Sequence, residues 1–209
     1  MTFEILAVTN RLLCPGGKDV YLYQIEKIAA CGINGLILRE KDLSLEDYES
    51  LARDVSVICA EKNVRFIVHN HTQAALNLCC SYFHLPWSLF KESFINSSRR
   101  GAEAQRRMEI GVSVHSKEEA LIALEHGASW LIAGHVFQTK SKEGLESRGL
   151  EFLAGICELS PVPVYGIGGI KEDNIVLVAK TGAAGVCLMS SLMQNPDPSV
   201  LIKKLRGSL

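Results

Sequence analysis

The sequence contains no apolar run of 18 or more residues, so nothing in it reads as a membrane-spanning helix. None of its 7 cysteines forms a CxxC pair, which argues against the usual thiolate-zinc and dithiol redox spacings. There is no GxGxxG either. The first turn reads TNRLLCPGG, without the phosphate loop that opens a dinucleotide-binding sheet. Charge of one sign is also missing: 22 Lys and Arg against 23 Asp and Glu leave a formal net charge of -1. That balance gives no electrostatic footprint for nucleic acid or an anionic membrane, although a local patch suffices for a small phosphorylated ligand. The start, MTFEILAVTNR, lacks the basic stretch and small-residue cleavage site of a secretory signal. A cytoplasmic chain with reduced thiols is therefore expected. Most cysteines sit in apolar patterns, and the adjacent Cys79 and Cys80 are expected to be buried at a helix end rather than reactive.

What is present is a series of short apolar runs rich in β-formers: FEILAVTN, GLILRE, RFIVHN, SYFHLP, EIGVSVH, WLIAGH, VPVYGIGG and GVCLMS. Without strict alternation, such runs suit strands covered on both faces, as in parallel sheets. Helical patterns lie between them. From Ser44 to Asn63, the residues Leu45, Tyr48, Leu51, Ala52, Val55 and Cys59 share one face. Ser44 with Asp47, and Ser116 with Glu119, have the spacing of a capping box. Gly32, Gly127 and Gly182 follow helical patterns, where a left-handed residue closes a helix. With 209 residues, 47% of them hydrophobic, the chain has material for one well-buried domain. Eight β-α units with glycine-rich turns late in the chain predict a single-domain (β/α)8 TIM barrel over 1–209, rather than a doubly wound sheet. Residues 87–107 read as an irregular loop leading into a poorly defined helix, and the tail beyond Pro196 as a closing helix.

In a barrel, chemistry sits where strands end and βα loops begin. Arg39 and Lys41 share a face at the end of strand two and suit an anion, against the alternative of solvated charges. His69 and His71 would share a face of strand three, but two histidines without nearby carboxylates make a poor metal site, so no metal is expected. His84 and His115 read as structural. Gly168 and Gly169, before Lys171 to Asn174, together with Ser190 and Ser191 opening the last helix, form a candidate phosphate cup. The other reading of those glycines is a tight turn. His135 follows an apolar strand and precedes a polar loop; it is either a strand-closing residue or a group that moves a proton.

Taken together, LREK at 38–41, GVSVHS at 111–116, the GHVFxTxxKxGLExRG pattern from Gly134 and GIGGI at 166–170 resemble the thiamine phosphate synthase superfamily. The resemblance spans nearly the whole chain in the same order and implies the barrel fold. It covers two activities: a synthase that joins a pyrimidine diphosphate to a thiazole phosphate with magnesium, and a TenI-type thiazole tautomerase that aromatises a thiazole carboxylate phosphate. Several positions depart from the synthase pattern. Synthases usually read GPVF after strand six, and this chain has His135 in place of the proline. Asn70-His71 replaces the usual Asn-Asp after strand three. Ser88 stands where a second magnesium carboxylate is usual, and Ile37 where glutamine precedes LREK.

On that pattern the chain is expected to be a tautomerase, an isomerase without cofactor, with His135 as acid/base. The resemblance implies that Thr139, Ser141, Lys142, Gly168, Gly169, Met189 and Ser190 hold the thiazole phosphate. It further implies that Arg39, Lys41, Asn70 and Ser113 line the other end of the site. A small phosphorylated thiazole is the expected partner, with no nucleic acid and no membrane, and a homodimer is implied by family resemblance alone. The alternatives are a thiamine phosphate synthase that has departed from its metal motif, and a non-catalytic protein that binds thiamine intermediates for regulation.

Overall fold

The computed structural model describes residues 2–95, 108–139 and 142–209. Eight parallel strands close into a barrel in chain order: β1 (Glu4–Val8), β2 (Gly35–Leu38), β3 (Arg65–His69), β4 (Tyr82–Pro86), β5 (Glu109–Val114), β6 (Trp130–Gly134), β7 (Val164–Ile167) and β8 (Gly185–Leu188), with β8 pairing back onto β1. Around it lie α1 (Gly17–Ala29), α2 (Leu45–Glu61), α3 (Thr72–Asn77), α4 (Trp87–Phe90), α5 (Lys117–Glu125), α6 (Gly149–Leu159), α7 (Ile175–Ala179), α8 (Ser190–Met193) and α9 (Pro198–Gly207). All eight predicted strands form, and the fold is the (β/α)8 barrel expected. Among the described residues no helix is long and apolar enough to cross a membrane.

The strands read as continuous apolar runs because both of their faces are covered. Outward residues such as Ile5, Leu36, Val68, Phe83, Ile110 and Val112 pack against the helices, where Ile25, Tyr48 and Val55 meet them. Inward residues Leu6, Val8, Ile37, Ile67, Trp130, Ile132, Tyr165 and Cys187 fill the barrel as a second, separate cluster. Small residues make room for large ones in that interior. Gly111 stands beside Trp130 in register, and a Cβ at Gly111 would fall inside the indole ring. At the N-terminal end of the strands the Glu4 carboxylate pairs with Arg65 and accepts a 2.7 Å hydrogen bond from the Tyr165 hydroxyl. That plug closes the bottom of the barrel, and the opposite rim carries the candidate site.

The helix ends follow the expected signals. Ser44 accepts from the Asp47 amide at 3.1 Å, and Ser116 from the Glu119 amide at 3.0 Å. The Glu119 carboxylate departs from a strict capping box by accepting from the His115 amide at 2.6 Å, one residue further back. Gly32, Gly127 and Gly182 take φ of 74°, 82° and 85°. Three expectations need correction. Ser190 opens a helix of 4 residues, not the last one, which starts at Pro198 and is capped by Asp197. Cys79 is exposed, because the chain turns there at φ 50° after α3 has ended; Cys80 beside it is half-buried. Within 87–107, residues 87–90 are helical and 91–95 form a π turn, and the remainder of that predicted loop lies outside the described residues.

The interior packing gives a direct test. Gly111→Val should destabilise the barrel by about 1–3 kcal/mol through overpacking against Trp130. The check is a lower urea midpoint at unchanged slope, and a midpoint equal to wild type would contradict the packing described.

Candidate functional site

The rim is organised from the ends of β1, β2 and β3. Tyr48 of α2, fully buried, donates its hydroxyl proton to the Leu38 carbonyl at 2.6 Å and accepts from the His69 amide at 3.1 Å, tying β2 to β3 where both strands end. Glu40, only 2% exposed, does the same for β1 and β2. Its carboxylate accepts from the Thr9 hydroxyl at 2.6 Å, from the Arg11 amide at 2.9 Å and from the Tyr21 hydroxyl at 3.1 Å. Burial pushes this carboxyl above its ordinary range, opposed by those hydrogen bonds. Thr9 in turn accepts from the Arg39 amide at 2.9 Å, so the backbone carrying the cations is fixed from both sides. None of Thr9, Tyr21, Glu40 or Tyr48 stood out in the sequence as a site residue. The one available signal was a carboxylate set between two cations in LREK.

Arg39 and Lys41 flank Glu40. Burial lowers the Arg39 guanidinium below its usual range, with Glu40 opposing. The Lys41 ammonium is lowered by burial first, then by Arg39 and Lys142, which places these three cations within electrostatic reach of one another. Among the described residues, none of the three makes an ion pair: nearby Asp42 pairs with Arg11, and Glu119 with His115. Such a cluster fits a polyanion, which would relieve the mutual repulsion. Lys142 reaches the cluster from the loop after β6, where its amide donates to the Thr139 carbonyl at 3.0 Å. Ser141, expected beside them, lies outside the described residues.

Beneath the cations the barrel holds neutral imidazoles. The His84 and His69 rings stack at 5.8 Å, and His84 stacks on Trp130 at 6.2 Å. The His84 Nε2 lies 2.8 Å from the Ser113 hydroxyl. Burial pushes His84 down to about 3. His69 is held well below its usual range by burial, then by His84, Arg39, Lys41 and His71. The Nδ1 atoms of His69 and His84 and the Nε2 atoms of His71 and His135 are buried without a hydrogen-bond partner. His84 is thus only half satisfied, unlike the structural histidine expected from its apolar surroundings. The expectation that His69 and His71 share a strand face is also overturned. Asn70 takes φ 70°, the strand stops, and the His71 amide turns back to the His69 carbonyl at 2.8 Å. The His71 ring then sits 4.1 Å from that of Tyr48.

The loops after β6 and β7 are spliced together. Val136 donates to the Ile167 carbonyl at 2.8 Å and Phe137 to Gly168 at 3.0 Å, continuing the ladder beyond both strands. A Cβ at Gly168 would strike His135, and one at Gly169 would strike Phe137 and Gln138. These glycines, at φ 99° and 67°, serve this close approach as well as the turn itself. His135 is consequently enclosed, 9% exposed, rather than projecting from the rim. The Asn174 side chain holds the turn, accepting from the Lys171 amide at 2.8 Å and donating to the Gly169 carbonyl at 3.0 Å. Met189 packs against the inner cluster, and Ser190 follows it as the first residue of α8. Outside the rim, a cavity of 610 Å³ opens between the β1 loop and α2, lined by Arg11, Leu12, Cys14, Tyr21, Leu43 and Leu51, where no expectation pointed.

The donor chemistry of the rim does not suit magnesium. That ion demands oxygen ligands in near-octahedral array, typically with one or two carboxylates. Here the buried unpartnered atoms at the ends of β3 and β6 are imidazole nitrogens, and the Glu40 carboxylate is consumed by its hydrogen bonds. Ser88 is exposed on α4 and brings no carboxylate. Among the described residues no group of three His, Cys, Asp or Glu side chains is arranged to hold a metal ion.

Compared with known proteins, the chain matches a family model described as thiamine monophosphate synthase over residues 5–192. It is 33% identical over 204 residues to a thiamine-phosphate synthase of Desulfitobacterium hafniense, covering 97% of this chain and 95% of that one. It is 32% identical over 197 residues to a putative thiamine-phosphate synthase of Geobacter sulfurreducens, covering 94% and 89%. Among solved structures, a thiamine phosphate pyrophosphorylase from Pyrococcus furiosus superposes with TM-score 0.81 at 27% identity, covering 99% of this chain and 95% of that one. These relatives are named as synthases, which are transferases. The tautomerase expectation, and with it the isomerase class, is overturned by that finding. The acid/base role expected of His135 belonged to tautomerisation and goes with it.

The buried histidines make stability depend on pH. A histidine whose folded pKa is depressed binds fewer protons than in the unfolded chain, so its contribution is present above the unfolded value and is lost as pH falls towards the folded one. For His84 that window runs from about 6.5 down to about 3. His84→Gln removes this titration. Its stability deficit against wild type should shrink by about 2–3 kcal/mol between pH 7.5 and 4.5. Urea unfolding of both proteins at the two pH values measures this, and a constant deficit would show that His84 is not held neutral.

Proposed function

The chain belongs to the thiamine monophosphate synthase family, and from that premise we propose that it is a transferase of the thiamine-phosphate synthase type. It would join a pyrimidine diphosphate to a phosphorylated thiazole. The observation that carries this reading is the group of three cations, Arg39, Lys41 and Lys142, without carboxylate partners among the described residues. A leaving diphosphate is a polyanion, and such a cluster suits the charge that builds on its departing oxygens. In the reaction the bond from the pyrimidine methylene carbon to the diphosphate oxygen breaks, and its electron pair leaves with pyrophosphate. The thiazole ring nitrogen supplies its lone pair to the same carbon. No proton is transferred and no electron carrier is needed.

In this scheme Arg39, Lys41 and Lys142 stabilise the charge that accumulates on the departing oxygens, the usual largest contribution in such chemistry. Because His69 and His84 stay neutral, they set polar edges under the substrate without further charge. Asn70 and Ser113 are assigned to the pyrimidine, with Ser113 oriented by His84. Thr139, Ser141, Gly168, Gly169, Met189 and Ser190 are assigned to the thiazole phosphate end, where Lys142 also contributes. His135 has no proton to move and packs the β6 loop against Gly168.

The test is to incubate the purified chain with the two substrates and follow thiamine phosphate and pyrophosphate, with and without magnesium. Equal yields of both products are expected, and Arg39→Gln should lower turnover roughly 100-fold, as loss of one charge-stabilising donor typically does. Folded wild-type protein that forms neither product under both conditions would defeat the assignment.

A further inference from the structure

We propose that this site holds the diphosphate of its substrate with side-chain cations alone, so that anion binding needs no divalent metal. The inference rests on the transferase reading for the identity of the anion, and on the rim itself for how that anion is held.

Three observations converge. First, the three cations stand close together at the mouth: Arg39 and Lys142 both bear on Lys41, which burial lowers first, and Arg39 and Lys41 both bear on His69 beneath them. Second, among the described residues no three His, Cys, Asp or Glu side chains are grouped to hold a metal ion. Glu40 spends its oxygens on Thr9, Arg11 and Tyr21; Asp42 and Glu119 are paired with Arg11 and His115. A divalent cation in this cluster would have to draw its oxygen ligands from the diphosphate itself, where the side-chain cations already compete for them. Third, the orphaned polar atoms at β3 are nitrogens, His69 Nδ1 and His71 Nε2, which a hard oxygen-seeking ion does not favour and which ligand polar groups satisfy well.

The electrostatics also say how the anion sits. Arg39 is fixed through its own amide by Thr9, and Thr9 by Glu40, so the backbone from which the guanidinium extends is set in advance. Lys41 and Lys142 come from loops on opposite sides of the mouth, after β2 and after β6, and bracket whatever lies between them.

Calorimetric titration of the full chain with inorganic pyrophosphate, in EDTA and then in millimolar magnesium, tests this. Binding in EDTA that magnesium leaves unchanged or weakens is expected. Arg39→Gln and Lys41→Gln should each loosen that metal-free binding at least tenfold while keeping the wild-type urea midpoint. Binding seen only with magnesium, or at least tenfold tighter with it, overturns the proposal, as does no binding in either condition. The two readings fail separately. Product formation that requires magnesium would overturn metal-free anion holding and leave the transferase standing. Metal-free pyrophosphate binding without product would do the reverse.

Discussion

The Glu40 carboxylate is buried between two strand ends, and the geometry of the rim depends on how it is satisfied. Burying a carboxylate is costly unless its oxygens are taken up by donors. Here Thr9, the Arg11 amide and Tyr21 supply them, from β1, the turn after it and α1. Those donors draw the charge inward, away from the mouth. The two neighbouring cations are therefore held in place by a carboxylate that does not pair with them. Had Glu40 faced Arg39 or Lys41 directly, it would have neutralised the cluster that an anionic ligand needs. One side chain thus anchors the β1 turn and leaves the positive field at the mouth largely intact.

The same separation of structure from charge continues deeper in the barrel. Tyr48 joins β2 to β3 with neutral hydrogen bonds, and the His69–His84–Trp130 stack fills the upper interior with rings that stay uncharged. A charged group at His84 would be surrounded by apolar interior and by the cations above it. Burial alone holds His84 neutral, while at His69 burial, His84 and the cations Arg39 and Lys41 act in the same direction. At the bottom the order reverses: Glu4 and Arg65 compensate each other and close the barrel.

The barrel was legible in the sequence because its signal is repeated eight times and each strand is covered on both faces, which produces a plain apolar run. Caps at Ser44 and Ser116 were legible because they are local. The rim was harder to read, since its decisive contacts join residues far apart in the chain. Thr9 and Glu40 are 31 positions apart, and nothing near either one announces the other. Strand alternation suggested that His69 and His71 face the same way, but a single left-handed residue, Asn70, ended the strand between them. His135, from its place at a strand end, read either as a strand-closing residue or as a group that moves a proton. It is enclosed because Gly168, 33 positions later by number, lacks a side chain and lets the β7 loop close over it. The activity was misjudged for a related reason: the choice of branch rested on positions 37, 71, 88 and 135, whereas similarity over nearly the whole chain points to the synthases.

Crowded cations and buried imidazole nitrogens are costly to hold unless a partner meets them. Lys41 is held against the repulsion of Arg39 and Lys142, and a buried polar nitrogen that finds no partner forgoes about 1–3 kcal/mol of solvation. Strain of this kind persists at functional sites when the surrounding fold is stable enough to impose it. The continuous ladder from β6 and β7 into their loops, and the Tyr48 and Glu40 ties, supply that imposition on either side of the mouth. A bound polyanion that satisfies the cations would recover the cost as binding energy, and the folded state would gain stability with it. The arrangement therefore makes affinity and preorganisation two consequences of one feature: positive charge fixed in advance, with its natural counter-charge left for the ligand to bring.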